Sequence, residues 1–193
     1  MRYGVLEASF RYRGFVGAVF AFAAAGAAVV VGEFTPPAAS ASSAMVRETL
    51  AWCLFVLGAV FRVWSTLYIG GKKNHNVVQE GPYSLCRNPL YVGSYCLFLS
   101  AALFFQSRVV LAGALIVIAY YQAAVIPAEE KKLRQVLGAP YERYCAAVPR
   151  ILPSPAGFRT RAQFPVNVAA LRREARRMAV WVWIPLAARL LYG

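Results

Sequence analysis

PLYVGSYCLFLSAALFFQSRVVLAGALIVIAYYQAAVI, residues 89–126, decides the fold. It consists of two apolar runs, 89–105 and 109–126, joined only by Gln106, Ser107 and Arg108. A helix crossing the hydrocarbon core needs about 20 apolar residues at a rise of about 1.5 Å each. Both runs approach that length, and so short a link turns the second helix back along the first. The stretch reads as an antiparallel helical hairpin in a membrane.

Three further runs flank it, at 14–32, 50–69 and 171–192. The first could be a secretory signal with ASASSA as its cleavage region. Its apolar part exceeds the usual run of about 7–15 residues, which favours a retained span. The last begins with basic residues and continues as AVWVWIPLAARLLY. It either spans or lies in the interface as an amphipathic helix. The expected fold is all-α: one polytopic membrane domain over 1–193 with about five transmembrane helices.

Composition agrees. Of the 193 residues, 60% are hydrophobic and 15% charged, against about a quarter charged in soluble domains. The net charge of +13 raises nucleic acid as a partner, but no recognition helix, finger or basic-aromatic strand accompanies it. Basic loops between spans account for it better. Lys and Arg are dense at the N-terminus, in the 70–88 loop (Lys72, Lys73, Arg87) and through 127–178, and sparse at 33–48 and 106–108. The dense segments are therefore cytoplasmic. Arg62, inside the second span, either snorkels to the interface or faces an anion in a cavity.

The chain has no Asp, one His (His75) and four cysteines without zinc or redox spacing. Metal centres and Ser-His-Asp triads are not expected. His75 reads as a solvated loop residue, with a proton acceptor above a pocket as the alternative.

The densest motif is GPYSLCRNPLYVG, Gly81 to Gly93. Asn88 before Pro89 predicts a capped helix start. Its free backbone N–H groups, with Arg87 beside them, can receive a carboxylate or phosphate. Gly93 leaves room for a ligand or another backbone. The bland alternative is a capped span with Tyr83 and Tyr91 in an interfacial belt. A second motif, PAEEKKLRQVLGAPYERYCAAVPRILP, follows the hairpin. Pro127 is expected to open a short helix with Glu129 and Glu130 in its first turn, ended by Gly138 and Pro140. Adjacent helical carboxylates diverge by about 100°, so one can face a pocket. The other can pair with a Lys or Arg, for instance Glu130 with Arg134 at i, i+4.

Together the two blocks resemble the isoprenylcysteine carboxyl methyltransferase and phospholipid methyltransferase superfamily, most strongly over residues 70–153. The resemblance implies a helical membrane fold with S-adenosylmethionine bound on the cytosolic side, in segments 70–93 and 127–153. It places Gly81, Pro82, Tyr83, Arg87, Asn88, Pro89, Tyr91, Gly93, Glu129, Glu130, Tyr141 and Tyr144 along the cofactor pocket. Asn88, Glu129 and Glu130 are the catalytic candidates. The chain departs from many members in having Asn88 for His, and Ile126, Pro127 and Ala128 where an Arg often precedes the Glu pair. Asn cannot serve as a base near neutral pH. The resemblance implies a lipophilic or lipidated acceptor and the bilayer as partners. The rivals are an NADPH-dependent membrane reductase and a non-catalytic assembly protein.

Overall fold

A computed structural model of the chain describes residues 41–70 and 77–192. The expected first span, the signal alternative, Lys72, Lys73 and His75 fall outside them. Every regular element among the described residues is helical.

Helix α1 (Ala41–Ile69) begins nine residues before the apolar run that announced it. After α2 (Pro82–Leu85), the hairpin forms as expected: α3 (Pro89–Phe105), then α4 (Arg108–Tyr120). Gln106 takes the left-handed conformation, φ 49°. The Ser107 hydroxyl then accepts the Val110 N–H at 3.2 Å, so the turn caps the helix it starts.

Pro127 does not open a new helix, contrary to the sequence expectation. One 30-residue helix runs from Arg108 to Leu137, through a π turn at Tyr121–Val125 into α5 (Ile126–Leu137). In a regular α-helix the Pro127 ring would collide with the carbonyl four residues back, which would also lose its donor. The wider turn, in which the Ile126 N–H reaches Tyr121 O, relieves both. It also rotates the following face by about 100°, and Glu130 lies on the face that is buried. Gly138, at φ 58°, ends α5 and starts α6 (Ala139–Ala147), as the Gly-Ala-Pro sequence suggested.

Helix α7 (Val168–Tyr192) returns antiparallel to α1. Gly70 adjoins Ala170 and Asn167, Arg62 meets Glu174 at 2.6 Å, and Glu48 meets Arg189 at 2.7 Å. Helices α1 and α3 cross closely at Gly58 and Gly93. A Cβ on Gly93 would stand 2.8 Å from Gly58 O and 2.6 Å from the Arg62 stem. The core between α3 and α4 is Tyr95, Phe98, Ala114, Val117 and Tyr121, with Trp181 of α7 packed against it.

Ala41–Ile69 and Arg108–Leu137 are long and apolar enough to cross a membrane, and Pro89–Phe105 is apolar but shorter. Their outer faces expose large apolar side chains such as Val56 and Leu115. Helix α7 forms over the expected fifth span, but its five arginines keep it outside that class.

Candidate functional site

The first motif opens on a left-handed turn. Gly81 has φ 59°, and a Cβ there would sit 2.5 Å from the Tyr68 ring, so only glycine fits. Its N–H donates to Arg159 O at 2.8 Å. The chain after α6 straps across this turn: Arg87 N–H donates to Pro149 O at 2.8 Å, and Ser154 N–H to Leu85 O at 2.9 Å. The Tyr144 hydroxyl donates to Tyr83 O at 2.8 Å. Two motifs far apart in sequence thus become one unit through backbone bonds.

Glu130 is its hub, with a side chain only 5% exposed. Arg87 Nε lies 3.2 Å from one carboxylate oxygen and Arg150 Nε 3.5 Å from the other. The Asn88 amide donates to Glu130 at 3.3 Å and to Arg150 O at 3.1 Å. Arg87 also donates to Cys145 O at 2.6 Å. Two guanidiniums around one buried carboxylate meet the condition for burying a charge. Neither Nε aligns its N–H on Glu130, so these contacts are ion pairs by distance.

Three expectations are corrected here. Asn88 stands at the helix start but makes no side-chain cap bond; its NH2 group instead donates to Glu130 and to the Arg150 carbonyl. Arg87 engages Glu130 instead of standing free beside the helix N-terminus. Glu130 pairs with Arg87 and Arg150 and not with Arg134.

The two carboxylates diverge as their spacing required. Glu129 is half-buried and accepts the Tyr91 hydroxyl at 3.0 Å. Tyr91 stacks obliquely on Tyr121, 5.5 Å between ring centres. Arg87, Asn88 and Glu130 meet, and Tyr91 and Glu129 pair. Tyr141 and Tyr144 instead pack together beneath the hub with Val148. Pro82 and Pro89 are fully buried helix starts, and Gly93 admits α1.

Burial raises the Tyr83, Tyr141 and Tyr144 phenols well above their ordinary value and pushes the Cys86 thiol up to about 11. All four stay protonated near neutral pH, so none is a base there.

Sequence reading missed Arg150, Tyr95 and Glu174. Arg62 proves to face an anion: its guanidinium donates to Glu174 and, at 2.5 Å, to Ser94 Oγ. A signal for this was present, since Glu174 is the sole acid in the last 50 residues.

Residues 46–139 match the phospholipid methyltransferase family. The match takes in a little under half of the chain. The matched stretch runs from α1 to the end of α5 and holds Arg87, Asn88, Tyr91, Glu129 and Glu130; Tyr141, Tyr144, Arg150 and α7 lie beyond it. The chain is 33% identical over 118 residues to a cobalt-zinc-cadmium resistance protein of Cupriavidus metallidurans, covering 61% of this chain and 54% of that one. It is 30% identical over 127 residues to a nickel-cobalt-cadmium resistance protein of Alcaligenes xylosoxydans xylosoxydans, covering 66% and 58%. It thus spans little more than half the length of these curated relatives. No solved structure matches it.

S-adenosylmethionine, the donor this phospholipid methyltransferase family implies, suits the residues present. Glu129 can accept from ribose hydroxyls, and aromatic faces at Tyr91, Tyr121 and Trp181 suit a sulfonium. A buried Tyr95 hydroxyl lacks a hydrogen-bond partner among them.

Proposed function

We propose that the chain is an integral-membrane methyltransferase that uses S-adenosylmethionine on a lipophilic acceptor. The observation that carries this reading is the meeting of Asn88 with Glu130, across 42 residues, within a phospholipid methyltransferase segment. The two motif blocks form one site at one end of an apolar helical hairpin, where donor and greasy acceptor can meet.

When bound, the cofactor supplies an electrophilic methyl group. The chain's own task is then to bind, orient and exclude water. Glu130 fixes Arg87 and Asn88, and Glu129 with Tyr91 offers a polar edge facing the ligand. A carboxylate or thiolate acceptor needs no base. For an amine acceptor, Glu129 is the carboxylate we assign to take the proton, since Glu130 is held by two arginines. The site faces the cytoplasm, on the side where basic residues gather, and α7 crosses the bilayer beside α1. The relatives' names connect them with resistance to metal ions, and a membrane component as acceptor is compatible with that setting.

Titration of detergent-purified protein with S-adenosylhomocysteine and with NADPH tests the reading. Binding of the former alone is expected. Binding of NADPH alone would make it a reductase, and binding of neither an assembly protein.

A further inference from the structure

Among the buried polar atoms that lack hydrogen-bond partners, which also include Arg87 Nε in the hub and the Tyr83 hydroxyl, two bear on a ligand. One is the Tyr95 hydroxyl on α3, the other Arg150 Nε on the strap after α6. A fold rarely leaves such groups unsatisfied without a reason, and an absent ligand is one. Ile151, next to Arg150, packs on the cluster that contains Tyr95, and the Arg150 guanidinium lies within electrostatic reach of that ring.

Charge points the same way. Glu130 already has Arg87 at 3.2 Å and the Asn88 amide at 3.3 Å, so Arg150, at 3.5 Å, is its most distant partner. The Arg150 side chain is 37% exposed, and its terminal nitrogens hold no hydrogen bond among the described residues. A guanidinium with donors to spare is suited to a carboxylate or phosphate.

We infer that Arg150 and Tyr95 form a subsite for an anionic oxygen, carboxylate or phosphate, beside the methyl-transfer position. This deepens the methyltransferase reading and rests on it for its place in the reaction. The anion comes either from the cofactor's amino-acid end or from the acceptor's head. In both cases the guanidinium supplies the charge, and the tyrosine donates its idle O–H.

The test compares wild type with Tyr95→Phe, Arg150→Gln and Arg150→Lys, each as the full chain in detergent. Three probes are titrated: S-adenosylhomocysteine, 5′-methylthioadenosine (the same nucleoside and thioether without the amino acid) and dodecyl phosphate. If the anion is the cofactor's, Phe and Gln weaken S-adenosylhomocysteine at least tenfold and leave methylthioadenosine unchanged. If it is the acceptor's, they weaken dodecyl phosphate to that extent and leave both nucleosides unchanged. Arg150→Lys recovers part of the loss in either case. Tyr95→Phe removes only an unpartnered oxygen, so its melting temperature should not fall, which separates ligand loss from misfolding. Unaltered binding of all three probes by folded Phe and Gln variants overturns the subsite. If the wild type binds neither nucleoside, the methyltransferase reading fails, and dodecyl phosphate alone decides the subsite: a tenfold loss supports it, and no loss or no binding overturns it.

Discussion

The Asn88 side chain belongs to Glu130, 42 residues away, and not to the helix it precedes. Asn-Pro at a helix start signals a local cap, yet the amide serves a tertiary purpose. It ties α3 to α5 and, through Arg150 O, to the strap beyond α6. The position combines a backbone role for Pro89 with a bridging role for Asn88, and this separates capping from bridging by experiment.

Asn88→Ser keeps a good capping residue but cannot span to Glu130. If the bridge matters, Ser and Ala should destabilise equally, by about 1–3 kcal/mol for the unpaired buried groups left behind. A cap would instead let Ser retain most of the stability. Thermal melts of the three proteins decide between them.

Glu129 and Glu130 should fail differently. Glu130→Ala strands two guanidiniums, one of them well buried, and should cost about 3–5 kcal/mol as a broken buried ion pair. Glu129→Ala should cost under about 1 kcal/mol and weaken S-adenosylhomocysteine binding at least tenfold. Calorimetric titration paired with melts reads both. Normal binding by Glu129→Ala would remove its ligand role.

Helix α7 carries too much charge to look like a span, but it tracks α1 from Gly70 to Glu48. The Arg62–Glu174 and Glu48–Arg189 contacts lie 14 residues apart along α1, about 21 Å at helical rise. Cysteines placed at Gln163 and Arg189 should label from opposite membrane faces, with Ser42 on the Arg189 side. Labelling of Gln163 and Arg189 from one face would put α7 in the interface.

Stability should be flat from about pH 6 to 8 and fall at alkaline pH. The folded Cys86 thiol titrates at about 11 against an ordinary 9.0. Its contribution is whole below the lower value and is lost as pH rises from there through the higher one. Two pH units correspond to about 2.7 kcal/mol, and the buried tyrosines act with the same sign. Melting temperatures from pH 6 to 11 check this, and Cys86→Ala should flatten the decline. An unchanged slope in that variant would assign the fall to the tyrosines alone.

The all-helical class and the hairpin were legible without tertiary information, because apolar run length, the three-residue link and Gly138 act locally. So was the divergence of Glu129 from Glu130, which follows from helical geometry. The likeness to phospholipid methyltransferases could likewise be read from the motif blocks.

What no local rule contains is phase and partner. Pro127 predicts a break, but a single π turn absorbs it and carries Glu130 onto the buried face. Arg62 could have snorkelled; it faces inward because α7 brings Glu174 to it from 112 residues away. Gly93 could have served a ligand or a backbone, and only the crossing of α1 selects the backbone. Hydrogen-bond capacity is written in the residue type, so the sequence alone identified which side chains needed partners. Burial makes an unmet need costly, and the tertiary structure decided which need each side chain meets.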